Sequence, residues 1–461
     1  MKQSGFRLFL LIWIGSLISE IGSGMTSFAL GVYIFQLTGL VSVSSFVTLC
    51  AFLPGLLVTP LAGILADRYD RRLLMALGDG LSGLGVLWIY FSLKNPALIF
   101  ICIGAAISSL FSALGNPAFR ATISDLLPED QLSKATGLSQ INGIARYLIS
   151  PALAGMILAN GHISTILLLD FSTIFVTVAC TLLARRAIDS QVYSSDSRFW
   201  ADFLKGFQIV YGKKGIWILV LAGTGFSFFL GTVQILLSPL VLAFADAKTA
   251  GWVMTISSSG MLIGGLVLGI FAIKKHFHRM LCFSLFLLGL FMVGLGMKEN
   301  FIWICSFGFL LFAALPFANT AIDYLVRINI NKADQGKVWG TIGIISQLGY
   351  VLAYAGMGWV ADTLFKPSLT YFGWLANSVG KIIGVGGGRG YGLLFILSGI
   401  SISIGAYLLS RARSVKELEY VSTLDKKWFK RKQSQHVGHR SFPSSDSDPK
   451  LCSYTPDRQS D

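Results

Sequence analysis

The sequence predicts an all-α polytopic membrane protein whose twelve transmembrane helices form two pseudo-symmetric six-helix bundles. The prediction depends on twelve long apolar stretches, on basic residues that alternate in number between successive loops, and on a faint internal repeat. A helix needs about 20 mostly apolar residues to cross ~30 Å of hydrocarbon, because lipid offers its backbone no hydrogen-bond partner. The predicted spans are residues 7–36, 43–66, 73–93, 97–117, 135–158, 163–184, 215–243, 249–273, 279–297, 301–326, 338–363 and 391–411.

Lysine and arginine residues predict the orientation of these spans. If the N-terminus is cytoplasmic, 30 of the 37 basic residues lie in inner segments, 6 lie in outer segments, and Arg146 lies inside the fifth span. Cytoplasmic loops of membrane proteins carry such an excess of positive charge. One missed helix would reverse the sign of every later loop, so the pattern predicts an even number of spans. It also predicts a multi-pass protein of the cell (inner) membrane with both termini in the cytoplasm.

The composition excludes several classes of protein. A chain that is 54% hydrophobic and 13% charged does not suit a soluble domain. The net charge of +14 is spread over many inner loops, so lipid headgroups explain it better than a nucleic acid does. The cysteines show no metal-ligand spacing, and the glycine-rich segment 384–390 lacks the ending of a nucleotide-binding loop. We therefore expect no metal, no cofactor, no enzyme activity and no ATP-driven pump, and we interpret segment 384–390 as a flexible or tightly turned entrance to the last span.

The chain repeats itself in outline. Residues 63–66 and 269–272, at the ends of the second and eighth spans, have similar sequences, and a basic loop follows each. Two related bundles with a site at the membrane midplane are the architecture of many secondary transporters. The predicted segments are an N-terminal bundle (1–184), a cytoplasmic linker (185–214), a C-terminal bundle (215–411) and a polar tail (412–461) that we expect to be disordered.

The linker has its own helical pattern. Its apolar side chains recur at helical spacing with polar side chains between them, which predicts an amphipathic helix. This helix either lies on the inner membrane surface or packs on the protein's own inner face. The apolar residues are Phe199, Trp200, Phe203, Phe207, Val210 and Tyr211, and the polar ones are Arg198, Asp202, Lys205 and Gln208.

The loop after the second span carries the strongest local signal. Gly63 is expected to let two helices approach closely. Asp67 is expected to meet a helix N-terminus or an arginine across the bundle interface. Arg68 continues the cluster, and Arg71 and Arg72 are placed to anchor at the lipid headgroups. We interpret this cluster as a breakable contact between two rigid halves; the alternative is an ordinary basic loop.

The same loop resembles the signature Gly-x-x-x-Asp-Arg/Lys-x-Gly-Arg/Lys-Arg/Lys of the major facilitator superfamily. Asp70 stands where the family usually has glycine, a variant similar to the macrolide-efflux and siderophore-export branch. Segments 115–132 and 145–155 resemble that branch as well. The resemblance implies a monomeric exporter of small amphipathic compounds, usually in exchange for protons, with antibiotic resistance as a consequence. The basic residue that many drug antiporters carry in the fourth helix is absent here, and Arg146 is the candidate substitute.

The cost of burying charge selects candidate transport residues. A charge at the bilayer centre costs ~2.5–3.5 kcal/mol or more unless it is paired or faces water. Glu20 and Arg146 lie about midway along their spans, and we identify them, besides Asp79, as the ionisable residues deep in the N-terminal bundle. Our hypothesis is that Glu20 binds the proton or a cationic substrate group and that Arg146 modulates it. The alternative is a fixed pair that braces two helices.

Other span residues complete the expected site. Polar side chains within spans either line a cavity or join helices by hydrogen bonds. They are Asn116, Gln140, Asn142, Gln234, Asn319 and Gln347. Pro151 with Gly155 resembles a short form of the antiporter motif and predicts a kink with close helix packing. The predicted function is export of a small molecule by alternating access; the alternatives are a facilitator or symporter of another solute (lysolipid, sugar or peptide) and a membrane-embedded enzyme.

Overall fold

The computed structural model describes residues 2–94, 96–186, 199–271, 275–331 and 334–419. Within these residues, twelve helices are long and apolar enough to cross a membrane, which confirms the predicted number. They are labelled α1 (Gly5–Thr38), α2 (Val41–Arg68), α3 (Arg71–Ser92), α4 (Leu98–Leu126), α5 (Asp130–Asn160), α6 (Ile163–Arg185), α7 (Lys214–Leu242), α8 (Ala247–Ile270), α9 (Phe277–Met297), α10 (Phe301–Ile328), α11 (Gln335–Ser368) and α12 (Arg389–Arg411).

Several helices extend beyond the predicted spans. Helix α4 continues to Leu126 and α11 to Ser368, whereas the apolar stretches predicted ends at residues 117 and 363. Hydropathy detects only the part of a helix that faces lipid or apolar neighbours, and these terminal turns are polar. We call the side on which α1 begins and α12 ends the terminal face, and the other side the opposite face.

Three spans are interrupted in ways that the local sequence explains. Helix α4 breaks at Ala113–Leu114, and α5 breaks at Ile149, two residues before Pro151. A proline inside a helix lacks the N–H donor and its ring clashes with the carbonyl group four residues earlier, which produces a kink. Helix α11 contains two π-helical turns, Ala353–Met357 and Ala361–Phe365. Such turns are frequent at functional sites.

The helices pack as two six-helix halves. Within the amino-terminal half, α1 packs on α5 and α6, and α3 packs on α4 and α6. Within the carboxy-terminal half, α9 packs on α10 and α12, and α7 packs on α11. The largest buried apolar cluster belongs to the second half and also includes Val41, Phe28 and Phe52 from the first. Residues 1–419 consequently form one compact unit.

The linker contains the predicted helix, Phe199–Gly212, and this helix packs on the carboxy-terminal half. A Cβ at Gly206 would lie 2.5 Å from the carbonyl oxygen of Lys337, so glycine is required for this close approach. Lys337 Nζ pairs with Asp202 at 2.7 Å, and the Thr341 hydroxyl donates to the Phe203 carbonyl at 3.2 Å. Of the two locations left open by the sequence, the structure shows packing on the protein itself.

The polar tail begins later than residue 412. Residues 413–419 are helical, with Val415 buried, and the Glu419 carboxylate accepts hydrogen bonds from the backbone N–H groups of Phe277 and His278 at 3.2 and 3.3 Å. The carboxylate thereby satisfies donors at the start of α9 that have no partner within the helix. Residues 412–419 are therefore ordered, contrary to the predicted disorder of the tail 412–461, and the rest of that tail, residues 420–461, lies outside the described residues.

The glycine-rich segment before α12 is a tight turn. Gly384 and Gly386 have φ angles of +92° and +154°, a region that other residues rarely adopt. The turn places Arg389 at the start of α12, where its Nε lies 3.4 Å from Glu299 Oε1 and its Nη1 donates to the Met297 carbonyl at 3.2 Å. These contacts join the α9–α10 loop to α12, and the segment has a structural rather than a nucleotide-binding geometry.

Candidate substrate and proton site between the two halves

Glu20 and Arg146 meet inside the amino-terminal half. Arg146 Nη1 lies 3.2 Å from Glu20 Oε2, and Nη2 donates to the Ser27 hydroxyl at 3.4 Å. The Glu20 and Arg146 side chains are 28% and 38% exposed, so the pair is accessible rather than enclosed. Arg146 is also within electrostatic range of Tyr354 on α11. Arg146 therefore lies on the side of the amino-terminal half that is near α11.

Two glycines of α1 bring α5 and α6 to this position. A Cβ at Gly24 would lie 2.5 Å from the Ser150 hydroxyl oxygen on α5, and a Cβ at Gly22 would lie 2.8 Å from Asp170 Oδ1 on α6. Small residues allow helix backbones in a membrane to approach closely. The sequence Glu20-Ile-Gly-Ser-Gly thus explains how one helix holds an acid between two neighbours.

The structure adds a carboxylate that the sequence analysis missed. Asp170 lies on α6 and is 1% exposed. The Thr26 hydroxyl donates to Asp170 Oδ2 at 2.6 Å, and the Ser23 hydroxyl donates to Oδ1 at 3.4 Å. The sequence analysis identified Glu20, Arg146 and Asp79 as the deep ionisable residues of the first half, and that set was incomplete because it lacked Asp170. Asp170 was visible in the sequence as an acid within the apolar stretch 163–184.

The carboxy-terminal half contributes aromatic and amide groups. The Tyr354 hydroxyl on α11 is hydrogen-bonded to Gln234 on α7. The Phe52 ring on α2 lies 5.5 Å from the Tyr354 ring and 5.9 Å from the Tyr350 ring, centroid to centroid. Because Phe52 belongs to the first half, this aromatic cluster spans the interface. Aromatic rings with polar tips suit ligands that are partly apolar.

The remaining predicted polar residues differ in their partners and in their exposure. Asn142 is buried and its Nδ2 donates to the Ser16 hydroxyl at 3.0 Å, so it joins α5 to α1. Among the described residues, the others make no side-chain hydrogen bond. Asn116, Gln140 and Asn319 are exposed, and Gln347 is half-buried. Nothing in the sequence distinguished Asn142, whose side chain joins two helices, from the other four residues.

The signature loop lies at the terminal face, and the ion pairs of Arg71 with Asp125 and of Asp70 with Arg185 lie within the amino-terminal half. Arg71 pairs with Asp125 on α4 at 2.7 Å and lies 3.9 Å from Asp67. Asp70 accepts hydrogen bonds from the N–H groups of the first turn of α3, and it pairs with Arg185 on α6 at 2.7 Å. A carboxylate at this position satisfies free donors and interacts favourably with the helix dipole.

Other members of the loop are placed differently. Arg68 is exposed and Arg72 is buried. The expectation that Gly63 allows a close helix approach is wrong for this structure, because a Cβ there would meet no atom within 4 Å. The close approaches lie elsewhere, at glycines that face neighbouring backbones.

One such approach joins the two halves at the opposite face. A Cβ at Gly155 on α5 would lie 2.7 Å from the Ala247 carbonyl oxygen on α8, and a Cβ at Gly251 would lie 2.3 Å from the Pro151 carbonyl oxygen. The kinked end of α5 and the start of α8 therefore cross backbone to backbone. Pro151 and Gly155, the predicted kink motif, thus both lie at a contact between the halves.

A second contact at the opposite face joins α2 to α11. Asp362 Oδ2 accepts a hydrogen bond from the Ser42 backbone N–H at 2.7 Å, and Lys366 Nζ donates to the Gly39 carbonyl at 2.7 Å. Asp362 thereby acts as a capping residue for the first turn of α2, although it belongs to the other half of the protein. We call the α5–α8 and α2–α11 contacts together the opposite-face seal.

An apolar groove of about 460 Å³ lies elsewhere, between α8 and α10. Its walls include Ile256, Phe301 and Phe309, and no carboxylate, lysine, arginine or histidine is among its lining residues.

The family assignment follows from a match of the sequence to a known family. The model of the Major Facilitator Superfamily matches residues 12–353, most of the two-half fold described above. The chain belongs to the Major Facilitator Superfamily. The family and the fold are those of multi-pass membrane transporters, and the predicted relation to efflux proteins is confirmed by similar sequences.

Two curated relatives are exporters. The chain is 26% identical over 394 residues to macrolide efflux protein A of Streptococcus pyogenes, covering 83% of this chain and 95% of the relative. It is 26% identical over 266 residues to the enterobactin exporter EntS of Shigella boydii serotype 4 (strain Sb227), covering 57% of this chain and 61% of the relative. Both names describe efflux of small molecules.

Solved structures confirm the fold. The nucleoside transporter NupG superposes with a TM-score of 0.69 at 14% identity, covering 88% of this chain and 100% of that chain. A bacterial homologue of the iron transporter ferroportin, in an inward-facing state, gives a TM-score of 0.67 at 13% identity, covering 88% and 99%. At such identities the likeness concerns the architecture, and the major facilitator fold predicted from the sequence is confirmed.

Proposed function

We propose that this protein exports a small amphipathic compound by alternating access in exchange for protons. The observation that carries the proposal is the Glu20–Arg146 ion pair, which is partly exposed and whose arginine is within electrostatic range of Tyr354 of the other half. An ionisable pair at this depth costs free energy unless it faces water. Ionisable residues at such depth usually mark functional sites. The family and the two exporting relatives support the direction of transport.

The aromatic groups beside the pair support an amphipathic substrate. The ring centroids of Phe52, Tyr350 and Tyr354 lie within 6.0 Å of one another, and Tyr354 is within electrostatic range of Arg146. A ligand between them would meet apolar ring faces on one side and a carboxylate on the other. This arrangement favours a compound with an apolar body and a basic group, because Glu20 can replace its arginine partner with a cation of the substrate.

The opposite-face seal supports a specific state in the transport cycle. The described hydrogen bonds between the halves lie at that face, and the described ion pairs at the terminal face lie within halves or on the linker helix. We propose that the terminal face is cytoplasmic, as the positive-inside pattern predicts, and that the cleft is open to it. Substrate then enters from the cytoplasm, and the seal must open to release it.

Transport by inside-out membrane vesicles tests the proposal. Vesicles that contain the full chain, with an acidic interior, should accumulate a radiolabelled macrolide, and collapse of the pH gradient should stop the accumulation. Glu20→Gln should remove the dependence on the gradient, because the amide neither binds a cationic group of the substrate nor keeps the ion pair with Arg146. Glu417→Gln, which changes an exposed acid far along the chain, is the matched control and should leave transport unchanged.

Each other outcome selects among the alternatives. Undiminished gradient-driven export by Glu20→Gln would rule out a role of Glu20 in coupling transport to protons. Macrolide movement that follows only the macrolide gradient would indicate a facilitator. Absence of any macrolide transport, with transport of a sugar, peptide or lysolipid instead, would reject the proposed substrate class.

A further inference from the structure

Asp170 differs from Glu20 in every contact that bears on its charge. Glu20 has a guanidinium partner at 3.2 Å and is partly exposed. Asp170 is 1% exposed, and its two hydrogen bonds come from the neutral hydroxyl groups of Thr26 and Ser23. Among the described residues, no lysine, arginine or histidine forms an ion pair with Asp170. A buried carboxylate without a cationic partner is strongly disfavoured, and a proton removes that cost.

The hydroxyl groups around Asp170 suit both of its protonation states. A hydroxyl group can donate one hydrogen bond and accept two, and it rotates freely. Thr26 and Ser23 therefore donate to the carboxylate when Asp170 is charged, and one of them can accept from the carboxylic acid when it is neutral. A guanidinium in the same place has only donors and would favour only the charged state.

The elements packed against Asp170 bring charges of both signs. Helix α1 contributes Glu20, which repels a charge on Asp170, and α5 contributes Arg146, which attracts one. Helix α3, which packs on α6, carries Asp79. Arg146 is already paired with Glu20. With all three acids charged, this part of the bundle would hold a net negative charge at membrane depth.

We propose that Asp170 carries the exchanged proton and that the Glu20–Arg146 pair controls its release; this inference rests on the proposed exchange of substrate for protons. A cationic group of the substrate that binds Glu20 frees Arg146, which is within electrostatic range of Asp170. The freed guanidinium stabilises the Asp170 carboxylate. The O–H bond of the Asp170 carboxylic acid then breaks, and its proton passes to water in the cleft. Departure of the substrate restores the Glu20–Arg146 pair, and Asp170 takes up a proton again.

Asp170 and Arg146 are coupled directly, because α1 contacts both of them. Glu20, Ser23 and Ser27 lie at spacings of three and four residues, which places them on one face of α1. Ser23 contacts Asp170 and Ser27 contacts Arg146. A small rotation or shift of α1 therefore changes the surroundings of both ionisable groups together.

Infrared difference spectroscopy on the purified full chain in lipid tests this inference without any transport. The wild type should show the stretching band of a protonated carboxyl group at neutral pH, and Asp170→Asn should lose it. The matched variant Asp79→Asn should keep the band. A band that persists in Asp170→Asn would overturn the assignment of the proton to Asp170.

Control by the ion pair is tested with a double variant. Glu20→Gln should weaken the band at neutral pH, because the freed Arg146 stabilises the Asp170 carboxylate. The double variant Glu20→Gln, Arg146→Gln should regain the band, since no guanidinium is left. If Glu20 itself held the proton, the band would be lost in both variants, and the inference would be overturned.

A second variant covers the case in which Asp170→Asn does not fold. Thr26→Val keeps the side-chain volume close and removes the hydroxyl donor to Asp170. The band should then move to higher frequency, because the carboxyl group loses a hydrogen bond; an unmoved band would show that it belongs to another acid. Proton-driven export that is unaffected in Asp170→Asn would overturn the inference and leave the proposed function intact. Absence of proton-driven export in the wild type would reject the proposed function and with it the transport role of Asp170; a band that behaves as expected would then still assign the buried proton to Asp170.

Discussion

The terminal-face loop and the opposite-face seal use similar chemistry for different purposes. At the terminal face, Asp70 caps the first turn of α3 and pairs with Arg185, and both partners belong to its own half. At the opposite face, Asp362 caps the first turn of α2, which belongs to the other half. The same carboxylate-to-helix contact therefore stabilises a single bundle in one place and joins two bundles in the other.

This difference indicates where each contact acts in transport. A contact within one half survives a rigid-body movement of the halves, so its loss changes stability. A contact between halves must break when the seal opens, so its loss changes the populations of the two states. The strongest sequence signal, the loop at residues 63–72, belongs to the first kind in this structure. In the seal, Pro151 and Gly155 carry the short antiporter-like motif, whereas Gly251 and Asp362 carry no sequence signal.

A bulky side chain in the seal should have the largest effect. Gly251→Leu places atoms against the Pro151 carbonyl, where even a Cβ would be 2.3 Å away, so the opposite face cannot close. Overpacking costs ~1–3 kcal/mol or more, and about 1.4 kcal/mol already changes a population ratio tenfold. We expect vesicle transport to fall by at least about tenfold. Gly265→Leu is the control on the same helix, because a Cβ there meets open space.

The conformational consequence of Gly251→Leu can be measured separately. Spin labels on the exposed positions Asn160 and Lys248, at the ends of α5 and α8, should report a longer distance in Gly251→Leu than in Gly265→Leu. Equal distances in the two variants, with equal transport, would show that the α5–α8 crossing does not control the state of the protein.

Loss of Arg71 should have the largest effect on stability. Its guanidinium donates to Asp125 at 2.7 Å and to the carbonyl groups of Ala66 and Ala121 at 3.1 and 3.3 Å. Arg71→Gln leaves these acceptors without a charged donor, which costs about 1–3 kcal/mol, and the free energy of unfolding should fall accordingly. In Arg185→Gln the lost pair is more exposed, so we expect a decrease below about 1 kcal/mol. Denaturant unfolding of both purified variants measures the difference, and equal losses would contradict the distinction drawn here.

Loss of Asp362 should change populations more than stability. Asp362→Ala removes the cap on Ser42, a loss worth about 0.5–2 kcal/mol, which changes the ratio of closed to open opposite face by roughly 2- to 30-fold. The spin-label distance distribution should therefore gain a longer component. Asp246→Ala removes a similar cap, on Thr249 at 2.9 Å, within one half. That control should lower stability without adding the longer component; if both variants add it, the comparison between the two kinds of cap fails.

The smallest effect is a pH dependence that involves Asp246, which lies outside the spans. The hydroxyl of Thr249, and next its backbone N–H, hold the pKa of Asp246 below its ordinary value. Its contribution to stability is therefore fully present above the unfolded-state pKa of about 3.9 and is lost as the pH falls through the lower folded-state value. Melting temperatures of the wild type and Asp246→Asn should differ at neutral pH and converge in acid. A constant difference would mean that this carboxylate does not titrate with unfolding.

The deep acids show how far the sequence predicted the site. The pairing of Glu20 with Arg146 was predicted from cost alone, because two opposite charges at similar depth have few other partners. Gln234 was on the expected list, but its partner Tyr354 was not, since hydroxyl groups on tyrosine are too common in spans to stand out. Asp170 was missed although it obeyed the same rule as Glu20. Its two hydroxyl partners lie 144 and 147 residues away in sequence, a relation that only packing of α1 on α6 creates.

The sequence by itself determined the twelve spans and the family, because transfer to hydrocarbon depends on local composition and the signature loop is contiguous. The tertiary structure alone decided which half each charged loop stabilises, where the linker helix rests, and that glycines 155 and 251 form the seal while Gly63 faces open space. These features depend on contacts between helices that are far apart in the chain. A glycine or an aspartate looks the same in sequence whether its neighbour is lipid, its own bundle or the opposite half.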